Sequence, residues 1–148
     1  EQKQLRDFYG KLLGITNEPA FRDGGFFGLN AANNRNPSFG QVGTEPSGGH
    51  WLYAFLRVDP LSRQRFLGVV NLHPTSELKE NRVLFPKEAI EFLRFRPNDG
   101  KTLHFSERLA GAVELTVQRS SLGSADGLAL PLLAPLTAYF FEIKSPND

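Results

Sequence analysis

Histidines and carboxylates are the residues of this 148-residue sequence whose types could support catalysis or metal binding. The histidines His50, His73 and His104 form no His-x-His or His-x-x-x-His pair. A metal site would therefore need three distant segments to converge, which spacing alone does not predict. We interpret these histidines as surface or strand-end residues, and we predict neither a metal site nor a cofactor.

Paired carboxylates are the second possibility, because glycoside hydrolysis uses one carboxyl as an acid and another as a nucleophile or base. The candidates are Glu88, Glu91, Asp99, Glu107 and Asp126. Glu88 and Glu91 lie three residues apart beside basic residues, as on a solvated helix face. Asp99 and Asp126 each precede a turn glycine, where aspartate is favoured for backbone reasons. We therefore predict no catalytic residue in this chain.

Composition narrows the function classes further. The chain has no cysteine, which excludes disulfides, thiolate metal sites and cysteine nucleophiles. Its formal charge is +1 with the two signs mixed, so we expect neither a nucleic-acid nor a membrane partner. No dinucleotide, phosphate-loop or serine-elbow motif occurs. The sequence contains no methionine, from which we expect a piece cut from a longer protein, and its compartment stays open.

Aromatic residues are the remaining candidates for binding. Alternation along residues 51–58 predicts a strand with Trp51, Tyr53 and Phe55 on one face and aliphatic residues on the other. The aliphatic face is expected to be core. The aromatic face is then a second core layer, a docking surface for another domain, or a platform on which sugar rings stack.

The pattern of the elements that position these residues changes from helical to strand-like near residue 25. Leu5, Phe8, Tyr9, Leu12 and Leu13 recur at helical spacing, which predicts one amphipathic helix that ends at the following glycine. Residues 30–50 are rich in Asn, Gly, Ser and Pro, which predicts a long surface loop that is functional or packs on a neighbour.

Short strand patterns separated by turn signals fill the rest of the chain. Residues 51–58 and 66–72 suit an antiparallel hairpin, and residues 112–119 alternate cleanly. Residues 128–133 and 137–143 are predicted to form the last two strands. With about seven or eight strands, the sequence predicts a mainly β fold: an antiparallel, Greek-key-like β-sandwich preceded by one helix.

The middle of the chain allows two interpretations. Pro86 followed by KEAIEFL could open a short helix, or this segment could be another strand. Asn98-Asp99-Gly100 is a strong turn motif, and residues 91–96 and 102–105 on its two sides could pair as a hairpin.

Four segments, taken in order, resemble the end of the α-amylase family of glycoside hydrolases. They are Pro19-Ala20-Phe21-Arg22-Asp23-Gly24 after the helix LRDFYGKLLG, then Ala54-Phe55-Leu56-Arg57, then Val69-Val70-Asn71, and finally LPLLAPLTAYFFEI at residues 130–143. In that family such segments follow the last helix of the catalytic (β/α)8 barrel and run through an all-β C-terminal domain. The family's catalytic aspartates and glutamate lie in barrel motifs that this sequence does not contain.

The resemblance implies two parts, residues 1–24 as the last helix and turn of a missing barrel and residues 25–148 as a β-sandwich accessory domain. It implies a non-catalytic chain whose parent hydrolyses or transfers α-glucosidic bonds, as in starch, glycogen or maltooligosaccharides. The barrel is then the partner, and an α-glucan is a possible ligand. Two alternatives stay open: a free-standing carbohydrate-binding module, and a non-sugar interaction domain that uses the 30–50 loop.

Overall fold

The structure is a computed structural model that describes residues 1–44, 50–111 and 113–148. Residues 45–49 of the predicted loop and residue 112 of the predicted strand 112–119 lie outside it. The elements, in chain order, are α1 (Gln2–Thr16), α2 (Pro19–Arg22), β1 (Gly25–Gly28), a 3-10 helix (Ala31–Asn33), β2 (Leu52–Val58), β3 (Arg65–Asn71), β4 (Arg82–Val83), α3 (Lys87–Phe92), β5 (Thr102–Glu107), β6 (Glu114–Gln118), α4 (Arg119–Leu122), β7 (Leu128–Ala129) and β8 (Ala138–Lys144).

Six strands form one antiparallel sheet in the order β1-β2-β3-β8-β5-β6, and β4 pairs with β7 in a small second sheet. The last strand, β8, therefore inserts between β3 and β5. The predicted class is confirmed, because the described residues form a mainly β, antiparallel, sandwich-like fold with one long helix at its N-terminus. No helix among these residues has the length and apolar character needed to cross a bilayer.

The main core lies on one face of the six-stranded sheet, which we call the inner face. Alternate residues of β2 point into it, and Leu52, Ala54 and Leu56 are fully buried there. The layer that covers this core from the other side is not a second large sheet. It consists of the two-stranded sheet, α3 and connecting segments, and Val83 and Leu93 are two of the residues that it places in the core. The predicted aliphatic face of residues 51–58 is therefore core.

The predicted hairpin of residues 51–58 and 66–72 is confirmed as β2 and β3, with Leu56 opposite Leu67. The expected pairing of residues 91–96 with 102–105 is wrong. Residues 87–92 form α3, the helical one of the two interpretations, and Arg94 turns the chain with a φ of +54°. Strand β5 is consequently free to pair with β6 and β8.

Helix α1 continues past the predicted stop at Gly14, and its C-cap is Asn17. The chain then makes the short helix α2 and enters the sheet at Gly25. Gly24 lies in this turn where the backbones come very close. A Cβ added there would be 2.3 Å from the carbonyl oxygen of Ala20 and 2.7 Å from that of Val58.

The described part of the predicted 30–50 surface loop has many exposed residues, but buried side chains within it anchor it to the domain. The Asn30 side chain donates to the Leu52 carbonyl and accepts from the Ala54 N–H, as a neighbouring strand would. Asn33 is fully buried and bonds the backbone N–H and C=O of Leu84. Phe39 is fully buried in the main core. The asparagines thus satisfy backbone groups of the domain itself, which composition alone could not distinguish from a polar surface loop.

Candidate docking surface

The outer face of the sheet carries two of the three predicted aromatic residues. Tyr53 and Phe55 lie there on β2, and Tyr53 is 38% exposed. Trp51 precedes the strand and packs against the main core instead. Its indole lies edge-on to His50 and His73, with ring centroids 4.6 and 4.5 Å away. The structure therefore brings Tyr53 and Phe55 together and leaves Trp51 apart.

Phe26 joins this row from the neighbouring edge strand β1. Its ring stacks on Phe55 with centroids 5.6 Å apart and planes 26° apart, and Tyr53 lies 5.6 Å from Phe55 on the other side. The Phe55 ring covers Gly68 of β3, where a Cβ would come within 2.4 Å of the ring. Phe26 is 52% exposed. We call Phe26, Tyr53 and Phe55 the aromatic row.

A second apolar cluster lies on the same outer face and attaches the N-terminal helices to the sheet. Phe66 of β3 is fully buried, with the Phe21 ring at 5.1 Å, and Phe21 in turn contacts Phe140 of β8 at 5.8 Å. Ile15 of α1, Ala20 of α2 and Leu109 complete the buried part of this cluster. Because Phe55 also reaches Phe140, at 6.3 Å, the cluster is continuous with the aromatic row.

Most of the predicted apolar stripe of α1 is exposed. Leu12 is half-buried against the second cluster, whereas Leu5, Phe8, Tyr9 and Leu13 are 56%, 45%, 53% and 61% exposed. We call these four residues the α1 stripe. An open groove of about 480 Å³ separates α1 from the sheet and is lined by Phe8, Leu109, Leu136, Ala138 and Tyr139, among others.

Polar side chains fix the α2 turn on the sheet. The Arg57 guanidinium donates to the carbonyls of Ala20, Phe21 and Gly24, which are the open backbone acceptors of the turn. The Gln64 side-chain carbonyl accepts the Ala20 N–H at 3.0 Å. Two of the segments that carry the resemblance, residues 19–24 and 54–57, are therefore in direct contact.

Glu18 forms the other half of this attachment. The Gln64 amide donates to one of its oxygens at 2.8 Å, and Arg108 donates to the other at 2.7 Å. Arg108 also pairs with Glu142 of β8. The hydrogen bond from Gln64, reinforced by Arg108, holds the pKa of Glu18 below its ordinary value.

Asn71 links the other two of these segments. Its side-chain amide is fully buried and donates to the carbonyls of Ser76, Leu133 and Ala134, while its oxygen accepts the His73 N–H. Leu133 and Ala134 belong to the closing segment at residues 130–143. The asparagine thus fixes the entry to β8, a backbone role that its sequence position did not reveal.

The carboxylates considered for catalysis do not converge as a pair in the described structure. Glu107 is buried and accepts the N–H groups of Leu109, Ala110, Gly111 and Phe140. Asp99 is buried beside Arg63 and Arg65, whereas Glu91 is exposed and pairs with Lys87 at 3.8 Å. Glu88 and Asp126 lie at the surface.

Among the histidines, His50 and His73 both contact the Trp51 indole, whereas His104 lies on β5. Nδ1 of His73 accepts the N–H groups of Thr75 and Ser76, and Nδ1 of His104 lies 3.3 Å from the Thr116 hydroxyl. Within residues 1–44, 50–111 and 113–148, no group of three or more His, Asp or Glu side chains could hold a metal ion.

The fold and this surface define a β-sandwich-like domain with an apolar patch on its outer face, made of the aromatic row and the second cluster, and a helix attached there. No family model matches the sequence, and no curated protein matches it. Among solved structures, the chain is similar to the galactosidase domain of alpha-galactosidase-sucrose kinase, AgaSK, with a TM-score of 0.45 and 15% identity. The alignment covers 88% of this chain and 14% of that chain, and a likeness at this level carries no functional argument.

Proposed function

We propose that this chain is a non-catalytic accessory domain of an α-amylase-family enzyme that acts on α-glucosidic bonds. In this proposal, residues 1–24 are the last helix and turn of a catalytic (β/α)8 barrel, and residues 25–148 pack on the barrel and stabilise it. The observation that carries the proposal is the exposed α1 stripe on a helix whose end is firmly attached to the sheet.

An outer helix of a (β/α)8 barrel buries one apolar face against the barrel strands. Helix α1 presents such a face, because Leu5, Tyr9 and Leu13 are more than half exposed in this chain. Large exposed apolar patches on a soluble domain mark interaction sites. The contacts of Arg57 and Gln64 with the α2 turn would hold the sheet at a fixed orientation to the barrel.

The aromatic row favours docking over sugar binding. Sugar-binding sites combine aromatic rings with polar groups that bond the hydroxyls. Across the sheet, Tyr53 faces Val70, which in turn faces Ala138, and both neighbours are apolar. Phe26 faces Arg57, whose guanidinium already donates to the backbone carbonyls of the α2 turn. The row is also continuous with the buried cluster under α1. An apolar partner surface therefore matches it better than an α-glucan does.

The proposal is tested on the longer gene product that it requires. The coding sequence upstream of Glu1 should continue into a barrel of very roughly 250–400 residues. In that longer protein, Leu13→Gln should lower the free energy of unfolding by about 2 kcal/mol, because it removes a buried leucine. In the present chain alone the same change should have little effect. Leu61→Gln is the matched control, because Leu61 is 92% exposed in a turn.

An upstream sequence without a barrel, or a Leu13→Gln variant of the longer protein with unchanged stability, would contradict the proposal. Titration of the chain with maltooligosaccharides, followed by NMR of the aromatic row, tests the alternative of a carbohydrate-binding module. Ring-proton shifts of Phe26 and Tyr53 at millimolar sugar would favour that alternative. If the ring protons of Phe26 and Tyr53 do not shift, the result favours docking.

A further inference from the structure

A groove at the β5–β6 end of the sheet shares no lining residue with the groove beside α1, and it has two basic and three polar side chains among apolar lining. It has a volume of about 610 Å³ and lies between the turn that precedes β5 and the end of β6. The residues that line it are Pro97, Asn98, Gly100, Lys101, Gln118, Arg119 and Ser120. Its volume falls within the range of small-molecule sites in proteins.

The positive charge of this groove is not neutralised by the protein. Neither Lys101 nor Arg119 forms an ion pair within the described part of the chain, and neither does Arg96 in the adjoining turn. The nearest carboxylate in sequence, Asp99, is directed to Arg63 and Arg65 and is only 3% exposed. An anion that enters the groove would therefore supply the missing counter-charge.

The Arg119 guanidinium is held in place before any ligand arrives. One Nη donates to the Arg96 carbonyl at 2.7 Å, and the group lies 5.0 Å from the centroid of the Phe95 ring. A guanidinium has five N–H donors in a planar fork that matches the oxygens of phosphate, and most of these donors are unused here. Fixing the side chain in advance reduces the entropy that binding would cost.

The wall of the groove is also fixed. The Asp99 carboxylate accepts the Arg96 N–H, and the Asn147 amide donates to the Asn98 carbonyl. The side chains of Asn98 and Ser120 form no hydrogen bond within the described residues, so both can bond hydroxyl groups of a ligand. The groove therefore combines a site for a phosphate group with neutral donors and acceptors beside it.

We propose that this groove binds a phosphorylated hexose, with Arg119 and Lys101 on the phosphate and with Asn98, Gln118 and Ser120 on the sugar hydroxyls. The site is independent of α1 and of the aromatic row. Because the groove is open to solvent, we expect a dissociation constant on the order of 1 mM, weakening as salt is added.

The test is an NMR titration of the chain with hexose 6-phosphate, with the unphosphorylated hexose and with inorganic phosphate. Hexose 6-phosphate should shift the backbone amides of Gly100, Lys101 and Ser120. Lys101→Gln should raise the dissociation constant roughly tenfold, as expected for one lost charge-assisted hydrogen bond. Arg119→Lys keeps the charge but removes the fork, and it should also weaken binding. Lys79→Gln is the charge-matched control, because Lys79 lines a different groove.

Four results would overturn the proposal. One is the absence of amide shifts at about 10 mM hexose 6-phosphate, ten times the expected dissociation constant. Another is an affinity for the unphosphorylated hexose, or for inorganic phosphate alone, that equals the affinity for hexose 6-phosphate. The third is equal weakening by Lys79→Gln and Lys101→Gln, which would indicate only a diffuse response to net charge. Tighter binding of a short DNA duplex at these same amides would assign the groove to nucleic acid instead.

Discussion

Individual residues of the resembling segments serve the protein's own backbone. Arg57 and Asn71 each donate to three backbone carbonyl oxygens, and Gly24 allows two chain segments to touch. Buried backbone acceptors without a partner are costly, so each of these side chains is constrained by geometry. The identities of Gly24 and Arg57 follow from the close attachment of α2 to the sheet, and that of Asn71 follows from the entry of the chain into β8.

Gly24→Ala is expected to destabilise the chain by about 1–3 kcal/mol, because the new Cβ would overlap two backbone carbonyl groups that cannot move freely. Gly10→Ala is the matched control. Gly10 lies on α1 with open space around it, so alanine should stabilise the helix by about 0.5–1 kcal/mol. Urea unfolding of the two variants measures both changes in the free energy of unfolding. Equal effects of the two substitutions would contradict the close approach at Gly24.

At the scale of elements, α1 and α2 are attached to the sheet through few residues. Arg57→Met would remove the donors to the α2 carbonyls and keep much of the side-chain volume. We expect faster hydrogen exchange across residues 15–24, while the amides of β2 and β3 keep their protection. Arg22→Met is the control, because the Arg22 side chain is exposed and pairs with the exposed Asp23. A uniform loss of protection throughout the sheet would instead indicate that Arg57 stabilises the whole domain and not only the attachment of α1 and α2.

The sequence predicts elements where one pattern dominates. Alternation in residues 51–58 identifies β2 and its buried face, because the inner positions are aliphatic and continuous. The same alternation wrongly places Trp51 on the face of Tyr53 and Phe55. Trp51 lies in a bend before β2, and this bend depends on contacts with distant residues such as His73. The asparagines of the 30–50 loop mislead for a similar reason. A buried Asn33 and an exposed asparagine look alike until their backbone partners in other segments are known.

The candidate surface is predictable in part. The helical period identifies the α1 stripe, and alternation places Tyr53 and Phe55 on one face. The sequence does not single out Phe26, because only the pairing of β1 with β2 brings it beside Phe55. The groove at Lys101 and Arg119 has no local pattern either. Its two cations lie 18 positions apart and meet through the β5–β6 register, in which Thr102 faces Gln118.

At the scale of the whole molecule, charged groups link distant parts of the chain, so stability should depend on pH. Burial opposes ionisation of Asp99, but the Arg96 N–H and the Arg63 guanidinium outweigh it, and the pKa of Asp99 lies below its ordinary value of 3.8. The pKa of Glu18 also lies below its ordinary value, 4.5, because of Gln64 and Arg108. In both cases the unfolded chain binds protons more readily than the folded chain.

The sign follows from this difference. The stabilisation by Asp99 and Glu18 is present in full above pH 4.5, the higher of the two ordinary pKa values, and is lost as pH falls through the depressed folded values. Urea unfolding from pH 7 to pH 2 should show this loss. Asp99→Asn should be less stable at pH 7 and lose less stability on acidification. Glu77→Gln, which removes an exposed pair with Lys79, should keep the original profile. An Asp99→Asn profile parallel to that of the unmodified chain would mean that acid acts through other groups, and that the Arg63–Asp99 contact contributes no pH-dependent stability.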